Sequence, residues 1–254
     1  MSTVKLERQG RIAVLRLDKE RGNAIDARLL EDLGHAVPEL AQDESVHGVL
    51  LASGNPKLFC PGLDLVSLVD YDRQSLESFM GRFASVVWML YALRKPVLAA
   101  LNGHAVAGGC VLALTADYRL LRRGAQIGLN EVRVGVPLPW SVALLLRASV
   151  NPGALPHVAL LGKNFAGEEA LAAGLAHELA EAEGFEATCL QRLDEFAEKD
   201  ARALAATKSY LRASVLAEMR NSEMHYVREF ADCWFSPGTQ ERIRATVASL
   251  QSRG

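Results

Sequence analysis

His104-Ala105-Val106-Ala107-Gly108-Gly109-Cys110-Val111-Leu112 is the stretch on which the fold turns. A short apolar segment runs into two adjacent glycines, and the residues after them, to about Ala116, have helix character. The first amides of a helix have no partner inside it, and the helix dipole favours negative charge there. Such a turn can therefore hold an anion. It can equally be a place where glycine only lets helix and strand pack closely, and this stretch alone leaves both readings open. A phosphate-binding loop needs Lys-Ser/Thr after its second glycine, and here Cys110 follows. The three spaced glycines of a dinucleotide fingerprint are absent too.

Upstream, Pro96-Val97-Leu98-Ala99-Ala100-Leu101 reads as a buried strand entering Asn102-Gly103. Val4–Arg8 and Ile12–Leu17 form a hairpin around Gln9-Gly10. Asp26 caps a helix to about Leu40 whose Leu29, Leu30, Leu33 and Val37 share one face. Val46–Ala52 is a short buried strand, and Asp72–Leu93 a long amphipathic helix. Downstream, Tyr118–Leu121 and Gln126–Leu129 are strands. Strands with intervening helices imply an α/β core over residues 1–195. From about Glu186 strand signals fade into Ala, Leu, Arg and Glu, so residues 196–254 read as a helical region. Its apolar faces need a covering surface, from the core or from another subunit.

Two further loops bear chemistry. Leu58-Phe59-Cys60-Pro61-Gly62-Leu63-Asp64-Leu65 also leaves a strand through glycine. It is either a plain turn or the source of a second backbone N–H beside that of Gly108. Two amides converging on one oxygen stabilise an enolate. In Ile127-Gly128-Leu129-Asn130-Glu131-Val132, Glu131 lies among apolar residues. It is either a surface carboxylate at a strand end or a desolvated base with a raised pKa.

The 254 residues carry 28 basic and 30 acidic side chains, net −2, with no block of like charge, which gives no sign of a nucleic-acid surface. No run approaches the roughly 18 apolar residues of a membrane span, and the N-terminus has no apolar signal core. A cytoplasmic protein is expected. Cys60, Cys110, Cys189 and Cys233 are scattered without a CxxC pair, so reduced thiols are expected and no metal site. His104 lacks a Ser or Asp partner at useful spacing and reads as structural. His35, His47, His157, His177 and His225 read as surface residues. Trp88 and Trp140 read first as core aromatics, Asp64 as a residue orienting its loop, and Lys208 as a solvated lysine.

Taken together, Phe59–Leu65, Asn102–Cys110 with Ala116–Arg119, and Glu131, in this order and spacing, resemble the crotonase (enoyl-CoA hydratase/isomerase) superfamily. The likeness runs from about Val4 to Val215, and Asn23-Ala24-Ile25 fits the start of the family's first long helix. The resemblance implies a spiral of ββα units with a helical C-terminal oligomerisation region, a homotrimer or dimer of trimers. It implies an acyl-CoA thioester whose oxygen meets the N–H groups of Leu63 and Gly108, with Glu131 as base. Lys57, Leu58 and Phe59 would contact the substrate, as would Val111 and Trp140. Asp117 would fix the adjoining chain. No cofactor is implied, because coenzyme A is part of the substrate.

Hydratases of this family place a second glutamate three residues beyond the oxyanion glycine, where this chain has Val111. The Gly128–Glu131 run, with Pro139-Trp140 downstream, resembles the 3,2-enoyl-CoA isomerase branch, which works with one glutamate. The reaction expected is therefore the shift of a 3-enoyl-CoA double bond to the 2-trans position. Hydration, other enolate chemistry such as hydrolysis or cleavage, and a silent acyl-CoA binder are the alternatives.

Overall fold

After an opening hairpin, each successive pair of strands is shared between two sheets. In the computed structural model, which describes residues 2–20 and 22–252, a hairpin of β1 (Val4–Gln9) and β2 (Ile12–Leu17) leads into α1 (Ala27–Gln42). Then come β3 (Gly48–Ser53), β4 (Leu58–Cys60), α2 (Leu65–Leu68) and α3 (Arg73–Ala92). The next turn is β5 (Val97–Leu101), β6 (His104–Val106) and α4 (Gly108–Leu114), and the next β7 (Tyr118–Arg122), β8 (Gln126–Gly128), α5 (Glu131–Val134) and α6 (Trp140–Ser149). After a short irregular helical stretch, β9 (Asn164–Ala166), α7 (Gly167–Ala173), β10 (Glu178–Ala180) and α8 (Phe185–Ala197) follow. Two helices, α9 (Ala201–Trp234) and α10 (Pro237–Gln251), end the described chain.

The larger sheet has the order β1-β2-β3-β5-β7-β10, and the smaller β4-β6-β8-β9. From β3 on, each turn thus gives one strand to each sheet, which is the expected ββα spiral. From β2 to β10 the larger sheet is parallel, and its central strands are buried on both faces, as parallel sheets require. Alternate residues divide between two apolar layers. Val14, Leu50, Leu98 and Leu120 meet Phe185, Cys189 and Leu193 of α8. Leu15, Leu51, Ala99 and Leu121 face the main core with α1 and α3.

Local signals explain the helix starts. Asp26 accepts from the Leu29 N–H at 2.8 Å, so the expected cap forms, and Asp72 likewise caps α3, accepting from Ser75 N–H at 2.8 Å. The strand expected at Val46–Ala52 begins two residues later, at Gly48, because Val46 N–H is taken up in a turn on Asp43.

The expected division at residues 195/196 falls inside α8, which covers the larger sheet and belongs to the core; Met1 and Gly254 lie outside the described residues. The helical tail starts at Ala201, capped by Asp200. Its own chain covers part of it, with α9 against α3 and α6, and α10 against α2, α5 and α9, while Tyr210, Leu211 and Met224 of α9 stay exposed. Lys208 is not solvated. It is 7% exposed, and its Nζ donates to Asp117 Oδ2 (2.6 Å) and Lys95 O (2.7 Å). Burial pushes its pKa down to about 8. Arg212 Nη2 donates to the other Asp117 oxygen at 2.6 Å, and Asp117 also accepts from Val97 N–H, which gives Asp117 the structural role expected of it. No described helix is long and apolar enough to cross a membrane.

Candidate active site

Three parallel neighbours of the smaller sheet, β4, β6 and β8, end at one edge. Their exits carry Leu63, Gly108 and Glu131. Ligands of open α/β sheets gather at such carboxyl ends.

The β4 exit is held by the segment before α1. Ile25 N–H donates to Gly62 O (2.8 Å), and Asp64 N–H donates to Ile25 O (2.9 Å). This parallel bridge pairs Ile25 with Leu63. In such a bridge Leu63's own N–H points to the far side. Asn23, fully buried, anchors the segment through Nδ2 to Ser53 Oγ (2.8 Å) and Phe59 O (3.0 Å). Asp64 caps α2, accepting from Ser67 N–H, and meets Lys19 Nζ at 3.2 Å, so it orients its loop as expected.

At the β6 exit the two glycines of the pair stand in different surroundings. A Cβ on Gly109 would stand 2.0 Å from Cys60 O, so Gly109 is there for close packing of α4 on β4. Gly108 opens α4, and the first intrahelical bond runs from Val111 N–H to Ala107 O (3.0 Å). Among the described residues neither the Gly108 nor the Leu63 N–H meets an acceptor. The two loops touch, since a Cβ on Gly62 would lie 3.1 Å from Gly108 N. Ala107 turns the chain with φ +49° and ψ −123°, a conformation natural to glycine, and its N–H donates to Gly128 O at 2.9 Å. Strain of this kind gathers at ligand sites. His104 has the structural role expected, its Nδ1 accepting from Gln126 N–H (3.1 Å).

At the β8 exit Glu131 begins the single-turn helix α5, ended by Gly135 in the left-handed conformation. The residue is half-buried, but its Oε2 is sealed from solvent and unpaired. Burial raises its pKa to about 7, against the smaller opposing pull of the Glu131 and Asn130 backbone N–H groups. Thr239 of α10 donates from Oγ1 to Gly135 O (2.9 Å), tying the last helix to the helix of Glu131.

A cavity of about 910 Å³ brings Leu63, Gly108, Glu131, Val111 and Leu58 together. Lys57 is exposed and Phe59 wholly buried, and neither lines it. Trp140 is half-buried and also off the wall: α6 turns it toward α9, where it stacks on Tyr226 with centroids 4.3 Å apart. Phe83 of α3, Phe230 and Trp234 of α9, and Thr246 and Leu250 of α10 complete the wall. Sequence reasoning did not single these out. Their one signal was the apolar spacing of helices already assigned, which does not say which neighbour they face. The cysteines are free, and burial raises the thiol pKa of Cys60 and of Cys189 to about 12, leaving both inert. Among the described residues no cluster of His, Cys, Asp or Glu could hold a metal ion.

Residues 7–240 match the enoyl-CoA hydratase/isomerase family. The carnitinyl-CoA dehydratase of Proteus mirabilis (strain HI4320) is 28% identical over 212 residues, 84% of this chain and 81% of that protein. Human mitochondrial enoyl-CoA delta isomerase 1 is 29% identical over 245 residues, 94% of this chain and 80% of that protein. The crystal structure of human mitochondrial delta3-delta2-enoyl-CoA isomerase superposes with a TM-score of 0.92 at 25% identity, covering 99% of each chain. With the spiral, the paired loop exits and the family match over nearly its whole length, the chain belongs to the enoyl-CoA hydratase/isomerase family of the crotonase superfamily.

Proposed function

We propose that this chain converts a 3-enoyl-CoA to the 2-trans-enoyl-CoA with Glu131 as its only acid–base group. The observation that carries the reading is the pairing of Val111 with Glu131 in one cavity. Val111, 1% exposed, occupies the position one helical turn beyond Gly108 where a second carboxylate would be needed to handle water. Among the described residues, Glu131 is the one cavity-lining carboxylate with a buried, unpaired oxygen.

The ionised carboxylate of Glu131 takes a proton from the carbon alpha to the thioester. The electron pair spreads through the double bond as a dienolate, and its oxygen accepts hydrogen bonds from the N–H groups of Leu63 and Gly108. Preorganised amides at a developing oxyanion typically contribute about 10²–10³ each in rate. Glu131 then returns its proton at the gamma carbon, which moves the double bond and regenerates the base. Atoms and charge balance without water, metal or cofactor. Coenzyme A lies along the loop that ends at Leu63, near Lys57 and Leu58, and the functional particle is a homotrimer or a dimer of trimers.

Only the ionised Glu131 can start the reaction, and its pKa is about 7. The kcat/KM of the isomerisation therefore rises with pH through about 7 and falls roughly tenfold per unit below it. The test supplies a 3-enoyl-CoA and a 2-enoyl-CoA in separate assays. Isomerisation of the first with slow or absent hydration of the second is the expected result. Rapid hydration of the second without isomerisation of the first overturns the reading.

A further inference from the structure

The cavity is uneven along its length. Toward the outside it is bounded by Val66 and Leu250, which are 42% and 51% exposed. Phe83, Val111, Phe230 and Trp234 line the same cavity but are only 2%, 1%, 2% and 1% exposed. Hardly any of their surface is open to a sphere the size of water. The open volume therefore lies almost wholly on the outer side of these four residues, where the bulk of a coenzyme would lie.

The inner wall stands close to the reacting atoms. Val111 follows Gly108 by three residues, a rise of about 4.5 Å along the helix. Helical side chains lean toward the helix N-terminus, so the Val111 methyls close over the space just beyond the Gly108 amide. An extended chain advances only about 1.2 Å per bond. The wall is also hard to displace. Its members come from α3, α4 and α9, and Phe230 and Trp234 stack on each other with centroids 6.0 Å apart. No single rotamer change opens it, because interiors are packed to crystal density.

We infer that the wall of Phe83, Val111, Phe230 and Trp234 limits the site to short acyl chains, of about four to six carbons by these lengths. The inference rests on the acyl-CoA reading of the cavity but not on the direction in which a double bond moves.

Saturated acyl-CoA esters from butanoyl to decanoyl have no double bond to shift, so their dissociation constants read the pocket apart from the reaction. Each methylene entering an apolar pocket tightens binding about fourfold. The expected curve tightens up to hexanoyl, then levels or weakens at octanoyl and decanoyl. Phe83→Leu and Phe230→Leu each trim the wall while keeping it apolar, and they move the break outward to octanoyl; thermal melts verify that both variants are folded. A steady gain through decanoyl in the unaltered protein overturns the inference, whatever the isomerase assay returns. A break that stays at hexanoyl in both folded variants overturns the assignment to this wall. Failure of every ester to bind overturns the acyl-CoA reading, and this inference with it.

Discussion

One wall of the cavity is built from backbone and the other from side chains. The first consists of the exits of β4, β6 and β8, which bring Leu63, Gly108 and Glu131 to the cavity, the first two with N–H groups that meet no acceptor among the described residues. Its parts are fixed by main-chain bonds: Ile25 to Gly62, Asp64 to Ile25, and Ala107 to Gly128. The second consists of Phe83, Phe230, Trp234 and Leu250, held by helix packing. The backbone wall also carries the backbone strain. Among the described residues the non-glycine positions with positive φ are Asn23 and Ala107, and both support it. The difference suggests a division of labour: chemistry that tolerates about half an ångström of error sits on the strained main chain, and selection of the tail sits on packed side chains.

The largest break in that comparison comes from the one side chain the backbone wall needs. Glu131→Gln keeps the shape and removes the base. We expect kcat to fall about 10²–10⁴-fold, while the affinity for a saturated acyl-CoA changes little. The same variant should be the more stable protein at high pH. Glu131 binds its proton more tightly folded (pKa about 7) than unfolded (4.5). Its contribution to stability is therefore fully present below about pH 4.5 and is lost as pH rises through 7. Melting curves at pH 5 and pH 8 check the sign: the variant should gain a few degrees over the parent at pH 8 and little at pH 5. A variant less stable than the parent at pH 8 would show that Glu131 is paired and not merely desolvated.

Next in size is Gly109→Ala, which tests how rigid the backbone wall is. The new Cβ would stand 2.0 Å from Cys60 O and 2.9 Å from Cys60 Cβ. Both atoms belong to β4 and its buried exit, so neither can swing aside. Either α4 or β4 must shift, and the Gly108 amide shifts with it. We expect a loss of several degrees in Tm and, in the protein that remains folded, a fall in kcat of about 10² through a misaligned oxyanion donor. An unchanged kcat in folded Gly109→Ala would separate packing at Gly109 from catalysis at Gly108.

The same contrast explains how much the sequence could tell. The backbone wall was legible because its devices are local. Glycines at 62, 108 and 109, the short apolar strands before them, and Glu131 amid apolar neighbours all stand within a few residues of the atoms they control. The side-chain wall was not. Periodicity reveals that α9 is a helix but not that Phe230 and Trp234 line the same cavity as Val111. Lys208 reads as solvated because its partner Asp117 lies 91 residues away, and Arg212 reaches the same carboxylate across 95. Trp140 is expected at the substrate because Pro139-Trp140, downstream of Glu131, resembles the isomerase branch, and Pro139 does line the cavity. The first turn of α6 then directs the indole to Tyr226 instead.

The smallest effect probes the strain itself. Ala107 has φ +49° and ψ −123°, a conformation that costs a non-glycine residue about 1–3 kcal/mol. Ala107→Gly removes that cost. Against the gain stand the extra freedom of glycine in the unfolded chain, about 0.5–1 kcal/mol, and the loss of one methyl contact beside Gly62. The balance favours the variant by roughly 0.5–1 kcal/mol, about 1–4 °C in Tm for a chain of this size. If the Ala107 carbonyl and N–H bonds to Val111 and Gly128 hold the turn by themselves, kcat changes less than about threefold. A larger fall in kcat with raised stability would mean that the methyl group, by narrowing the choices of the backbone, keeps the Gly108 N–H on line. The backbone wall would then depend on a second side chain besides Glu131, and the smallest one available.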